Sequence, residues 1–167
     1  MAPMDKSGLL GEVWVVDGVS VVHVEDVYDT DIDDLWAAIS EPARLGRWVA
    51  TVDGDLRPGG LFQASFTSGW DGPGRVEVCD APRHLLLTME PGAADETQLE
   101  AWLSPDPAGT RLVVEERGIP LEAAPDHGAG WQVHIEDLRA VLEGRAPAPW
   151  SDRWADLRPA YGQSPTS

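Results

Sequence analysis

The 167-residue sequence contains one cysteine and one lysine. A lone thiol excludes both a disulfide framework and a thiolate metal cluster, and Cys79 fits a reducing compartment. Bases of any kind are scarce, twelve against 29 acids, for a formal net charge of −17. Duplex or single-stranded nucleic acid demands clustered Lys and Arg, so it is excluded as a partner. An anionic membrane surface would be repelled for the same reason. No apolar run approaches the ~18 residues of a membrane span. The N-terminus lacks the basic region and apolar stretch of a signal peptide, so the cytoplasm is the expected location.

Apolar residues nevertheless make up 43% of the chain, and their periodicity argues for a folded core. The expected organisation is a flexible leader at residues 1–8, one domain at 9–145 and a Pro- and Trp-containing tail at 146–167. Residues 9–16 and 20–28 read as a β-hairpin about Asp17-Gly18, a pair suited to a two-residue turn. Thr30 or Asp31 then caps a helix whose stripe is Ile32, Leu35, Trp36 and Ile39. Ser40-Glu41-Pro42 starts a second short helix, with Ser40 as its cap and Leu45 and Trp48 facing inward.

From residue 49 to 118 the period becomes two, and about six strands in an antiparallel meander are expected. Phe62, Ala64 and Phe66 share one face, and Gly72-Pro73-Gly74 reads as a bend. A long helix follows from Pro125 or Asp126, with Gly144 at its C′ position. Its stripe is Trp131, Ile135, Leu138 and Val141 or Leu142, leaving Gln132, Glu136, Asp137 and Arg139 outside. Beyond Pro147 and Pro149, Trp150, Trp154 and Leu157 are spaced for a short docking helix. The fold class is α+β, with helices covering one face of a curved antiparallel sheet.

Nucleophilic chemistry lacks its residues. There is no Gly-x-Ser-x-Gly elbow, and Cys79 falls in a strand. The adjacent carboxylates Asp33-Asp34 and Glu115-Glu116 diverge rather than share a proton, and read as solvated faces. His127 and His134 lie seven apart without further ligands, so no metal is assigned, and the glycine pairs lack a phosphate-cradle context. No cofactor is expected. Trp131 is the sharpest candidate: it either floors a cavity and donates its N–H to a ligand or anchors helix to sheet. Phe62, Phe66 and Trp102 would line the same space from the sheet, with His134, Ile135 and Leu138 from the helix. His134 reads either as a polar group for a ligand or as a satisfied core residue, and His23 with Glu25 as a second polar pair.

Several stretches together carry a resemblance. They are Leu35-Trp36-Ala37-Ala38-Ile39-Ser40-Glu41-Pro42, Pro58-Gly59-Gly60-Leu61-Phe62, Gly74-Arg75-Val76-Glu77-Val78, Gly109-Thr110-Arg111-Leu112 and Gly130-Trp131. In this order the chain resembles the START-like superfamily (SRPBCC, the helix-grip fold), and within it bacterial homologues of the activator of the 90-kDa heat-shock protein ATPase. The resemblance implies a sheet wrapped around a long C-terminal helix, with two short helices after the first strands and a cavity between them. It also implies roles as diverse as lipid carriage, polyketide cyclisation and chaperone regulation. Three functions follow in order. The first is binding or sequestration of an apolar or aromatic small molecule. The second is a cavity enzyme (cyclase, dehydratase or hydrolase) using His134 or Glu25 as base. The third is a chaperone-linked interaction module, with a protein partner or homodimer.

Overall fold

The computed structural model describes residues 8–162. Strands β1 (Gly11–Val16) and β2 (Val19–Tyr28) form the expected hairpin. Asp17 and Gly18 both take positive φ (52° and 81°), as a two-residue turn matched to strand twist requires. Helix α1 (Ile32–Ser40) is capped by Asp31, whose carboxylate accepts the Asp34 N–H. Ser40 does not cap α2 (Pro42–Leu45). Its hydroxyl instead donates back to the Trp36 carbonyl at 2.6 Å, ending α1, and Glu41 takes the α2 N-cap position.

Strands β3 (Ala50–Gly54), β4 (Leu61–Phe66), β5 (Asp71–Asp80), β6 (His84–Met89), β7 (Thr97–Asp106) and β8 (Gly109–Ile119) follow as a meander. With β1 and β2 they make one curved eight-stranded antiparallel sheet in the order β1-β2-β8-β7-β6-β5-β4-β3. Gly72-Pro73-Gly74 is part of β5, not a bend. Phe62 lies opposite Gly74 in the register, and its ring occupies the volume a Gly74 side chain would need. A bare backbone is what lets an inward-facing ring lie against the strand.

After a 3₁₀ turn (Leu121–Ala123), α3 (Ala124–Leu142) packs against β1 and β2. It ends as expected with Gly144 at φ +73°, where the Gly144 N–H reaches Val141 and the Arg145 N–H reaches Ala140. Ile135 and Leu138 are fully buried. Gln132, expected outside the stripe, is buried too. Its amide oxygen accepts the Leu10 N–H and the Tyr161 hydroxyl, and its amide nitrogen donates to the Gly8 carbonyl. The cause is α4 (Trp150–Tyr161), which lies along α3 and covers the side that would otherwise meet water. Gly128 leaves room for the Tyr161 ring in that contact. Of the expected leader, residues 1–7 lie outside the described residues, whereas Gly8 is tied to α3 through Gln132; residues 163–167 also lie outside.

The outer sheet face is a polar lattice. His23 bonds Glu25 at 3.2 Å along β2 and Glu115 at 2.8 Å across to β8, and Arg117 links Glu115 to Glu100. Trp102 belongs to this face, stacked on His84 with centroids 5.9 Å apart. It alternates with the inward Ala101 and Leu103, so it is not a cavity residue. None of the helices is long and apolar enough to cross a membrane.

Gly74→Ala is expected to cost about 1–3 kcal/mol in denaturant titrations, because its methyl must displace the Phe62 ring. The cost should shrink in a Phe62→Leu background, where the ring is gone. An equal cost in both backgrounds would place the strain in the strand itself.

Candidate functional site

Strand parity points Phe62, Ala64 and Phe66 of β4, Leu99 and Ala101 of β7 and Val114 of β8 into the concave side of the sheet. They line an inner chamber of about 120 Å³, whose wall also includes Trp131 and Trp48, the latter just after α2. Its wall is almost wholly apolar. A cavity of this size and character holds roughly one benzene ring. Trp48 is fixed there by a 2.9 Å bond from Nε1 to the Ala38 carbonyl.

A second, outer cleft of about 750 Å³ opens between α3, α4 and one end of strands β4 and β6–β8, in the range typical of small-molecule sites. Trp70, Trp150 and Trp154 give it aromatic walls. Phe66, Met89, Leu99 and Trp131 border both spaces, so these side chains form the partition between them. Phe66 meets Trp131 edge-on at 6.3 Å, an arrangement favoured by the ring quadrupoles. Among the described residues no Lys or Arg lines the outer cleft, whereas Glu90, Asp95 and Asp126 do, so its field disfavours anions.

Trp131 is both cavity wall and anchor. Its Nε1 donates to Glu116 Oε1 at 3.0 Å, and the same oxygen accepts His127 Nδ1 at 2.7 Å. Thr97 Oγ1 donates to the other oxygen at 2.9 Å. Glu116 is therefore not a solvated carboxylate: it is 8% exposed, while its neighbour Glu115 joins the outer lattice. Burial raises its pKa, but the His127 bond and charge, with Trp131 and Thr97, hold it below the usual carboxylate range. For His127 burial opposes the charged form, yet Glu116 outweighs it and lifts the imidazole above 6.5. Sequence reasoning missed this pair although the signal was there. Leu112, Val114 and Glu116 share strand parity, and His127 precedes Trp131 by one helical turn.

His134 does not reach the inner chamber. It lines the outer cleft, 3% exposed, with the Phe66, Trp131 and Trp150 rings at 5.7, 5.3 and 5.7 Å. Burial lowers its pKa to about 4, so it is neutral at pH 7. Ile135 and Leu138 border neither space and serve as packing between α3 and the sheet. Glu25 lies on the outer face, away from both spaces. Among the described residues, no three His, Cys, Asp or Glu side chains converge as a metal site needs.

Two outcomes follow. Glu116→Leu strands three donors and should cost about 3–5 kcal/mol in equilibrium unfolding. Between pH 6.5 and 4 the unfolded chain protonates His134 while the folded chain does not, so acidification should lower stability by up to about 3 kcal/mol. Asp137, raised to about 6 by burial and then by Glu136, acts with the opposite sign over much of that window. The measure is therefore the difference between wild type and His134→Phe, whose stability should fall less on acidification there. Identical slopes would mean that the folded protein accepts the proton.

The comparisons agree with this architecture. The CalU16 crystal structure from Micromonospora echinospora is 23% identical with a TM-score of 0.74, over 90% of this chain and 92% of that one. A protein from Bordetella parapertussis is 22% identical with a TM-score of 0.73, over 99% and 97% of the two chains. DynU16, a protein of the dynemicin biosynthetic locus, is 23% identical with a TM-score of 0.69, over 76% of this chain but 48% of its own. No curated protein matches the chain in sequence. Residues 29–143 match the Activator of Hsp90 ATPase homolog 1-like protein family, and with its START-like helix-grip fold the chain belongs to that family.

Proposed function

We propose that this protein binds an apolar, aromatic small molecule whose body fills the outer cleft and whose end reaches the inner chamber. The observation that carries this reading is the pair of adjoining spaces, about 750 and 120 Å³, divided by a partition only one side chain thick. The inner chamber is too small for more than one ring, whereas the two spaces joined would take a molecule of several rings. Phe66, Met89 and Leu99 of the partition have no polar tether, while Trp131 is held by Glu116. DynU16's place in a biosynthetic locus supports a ligand made by such a locus.

The enzymatic reading has less support. Of its two candidate bases, Glu25 is outside the cleft and His134 is a weak base, its pKa lowered by burial. The interaction reading called for an apolar patch beside the C-terminal tryptophans. Among the described residues the exposed large apolar side chains are Val16, Val19, Leu61 and Leu121 instead, none of them on α4.

Gly130→Leu supplies the test. A Cβ at this position meets only Trp150 at ordinary contact distance, and leucine favours helix over glycine. The added side chain starts beside Trp150 at the cleft wall, and the variant's folding is checked by its thermal melt against wild type before binding is compared. Quenching of tryptophan fluorescence by 2-ethylnaphthalene should weaken at least about tenfold, the effect of losing a well-buried apolar contact. Native mass spectrometry after exposure to hydrophobic extracts should show adducts on wild type alone. Equal binding by both proteins would sink the proposal.

A further inference from the structure

The charged side chains of the outer cleft are mostly acceptors: Glu90 and Asp95 between β6 and β7, and Asp126 at the start of α3, itself bonded to Arg158. Beside them stand two ring nitrogens without partners. His127 commits Nδ1 to Glu116, and among the described residues its Nε2, which donates when the ring is protonated, has no hydrogen-bond partner. The His127 side chain lines the cleft and is 39% exposed. Trp150 lines the same cleft, and its Nε1 is buried with no acceptor. An indole N–H can only donate, so it gains from an oxygen brought by a ligand.

Glu116 makes His127 more than an exposed histidine. Thr97 and Trp131 fix the carboxylate from two further elements, and the carboxylate in turn fixes the ring with Nδ1–H turned inward. The anionic cleft argues against a carboxylate or sulfonate ligand. We propose that the Glu116–His127 pair is the polar anchor of the cleft, with His127 donating from Nε2 to a neutral oxygen acceptor on an aromatic ligand. The ligand class is a carbonyl-bearing aromatic such as an aryl ketone or quinone. This rests on the binding reading given above.

The anchor carries a pH signature. With Nδ1–H committed, a neutral His127 presents Nε2 as an acceptor, and only the imidazolium donates. Glu116 from β8 and Asp126 on its own helix, itself bonded to Arg158 from α4, act on the ring; Glu90 and Asp95 line the same cleft, and His134 is neutral. Burial opposes the charged form of His127, but Glu116 and then Asp126 outweigh it, and the imidazole pKa is raised. Preference for a carbonyl is therefore full at acidic pH and fades as pH rises through that value.

The test compares 2-acetylnaphthalene with 2-ethylnaphthalene, near-isosteres differing by one carbonyl, through quenching of tryptophan fluorescence from pH 5 to 9. Wild type should favour the ketone about tenfold at pH 5, as for a charged hydrogen bond, and lose the preference at high pH. His127→Phe should abolish the preference, read as the ratio of the two affinities within that variant. Glu116→Gln removes the charge that favours the imidazolium and should move the pH midpoint of the preference down. A wild-type ratio near one, or a ratio untouched by His127→Phe in a variant that still binds the hydrocarbon, overturns the anchor alone. If wild type binds neither probe, or Gly130→Leu leaves both unaffected, the binding reading falls and the anchor with it.

Discussion

A single buried carboxylate organises the centre of this protein. Glu116 on β8 accepts from Thr97 on β7 and from His127 and Trp131 on α3. A charge removed from water is tolerable only when it is fully bonded, and three donors from two further elements meet that condition. The same bonds set the position of α3 on the sheet. They also fix the rotation of the Trp131 ring, and that ring is the fixed part of the partition between the two spaces. Architecture and site therefore share one electrostatic constraint.

Close approach is the second constraint. The Phe62 ring lies where Gly74 has no side chain, and the Tyr161 ring lies where Gly128 has none. The first contact lets an aromatic face the inner chamber without pushing β4 and β5 apart. The second lets α4 lie low on α3, carrying Trp150 and Trp154 to the outer cleft. Without α4 one side of α3 would be bare, and Gln132 would lose the Tyr161 hydroxyl. The charges divide by face: the outer sheet surface holds an ion-pair lattice across β2, β8, β7 and β6, and the inner surface keeps Glu116 and apolar groups.

Much of this was legible in the chain itself. Asp17-Gly18, Asp31 and Gly144 take the turn, cap and C′ roles that their backbone chemistry favours, because each acts on residues next to it in sequence. Phe62 and Phe66 were readable as inner-chamber residues, since alternation along a strand is rigid. Trp102 misled because Ala101, Trp102 and Leu103 are all apolar, and hydrophobicity alone does not say which parity faces in. Ser40 misled because a hydroxyl at a helix junction can bond backward to the preceding turn as easily as forward.

The sequence by itself determined the α+β class, the strand meander and the helix carrying Trp131, all of which follow from local periodicity and backbone preference. The family follows from the order of those elements along the chain. Only the tertiary structure decided the chemistry of the site. Glu116, His127, Thr97 and Trp131 are brought together by the pairing of β7 with β8 and the docking of α3. That docking also made His134 neutral and set Ile135 and Leu138 to packing rather than lining, while α4 buried Gln132. Such facts belong to neighbours distant in sequence, and a pattern along one chain carries no record of which distant groups will meet.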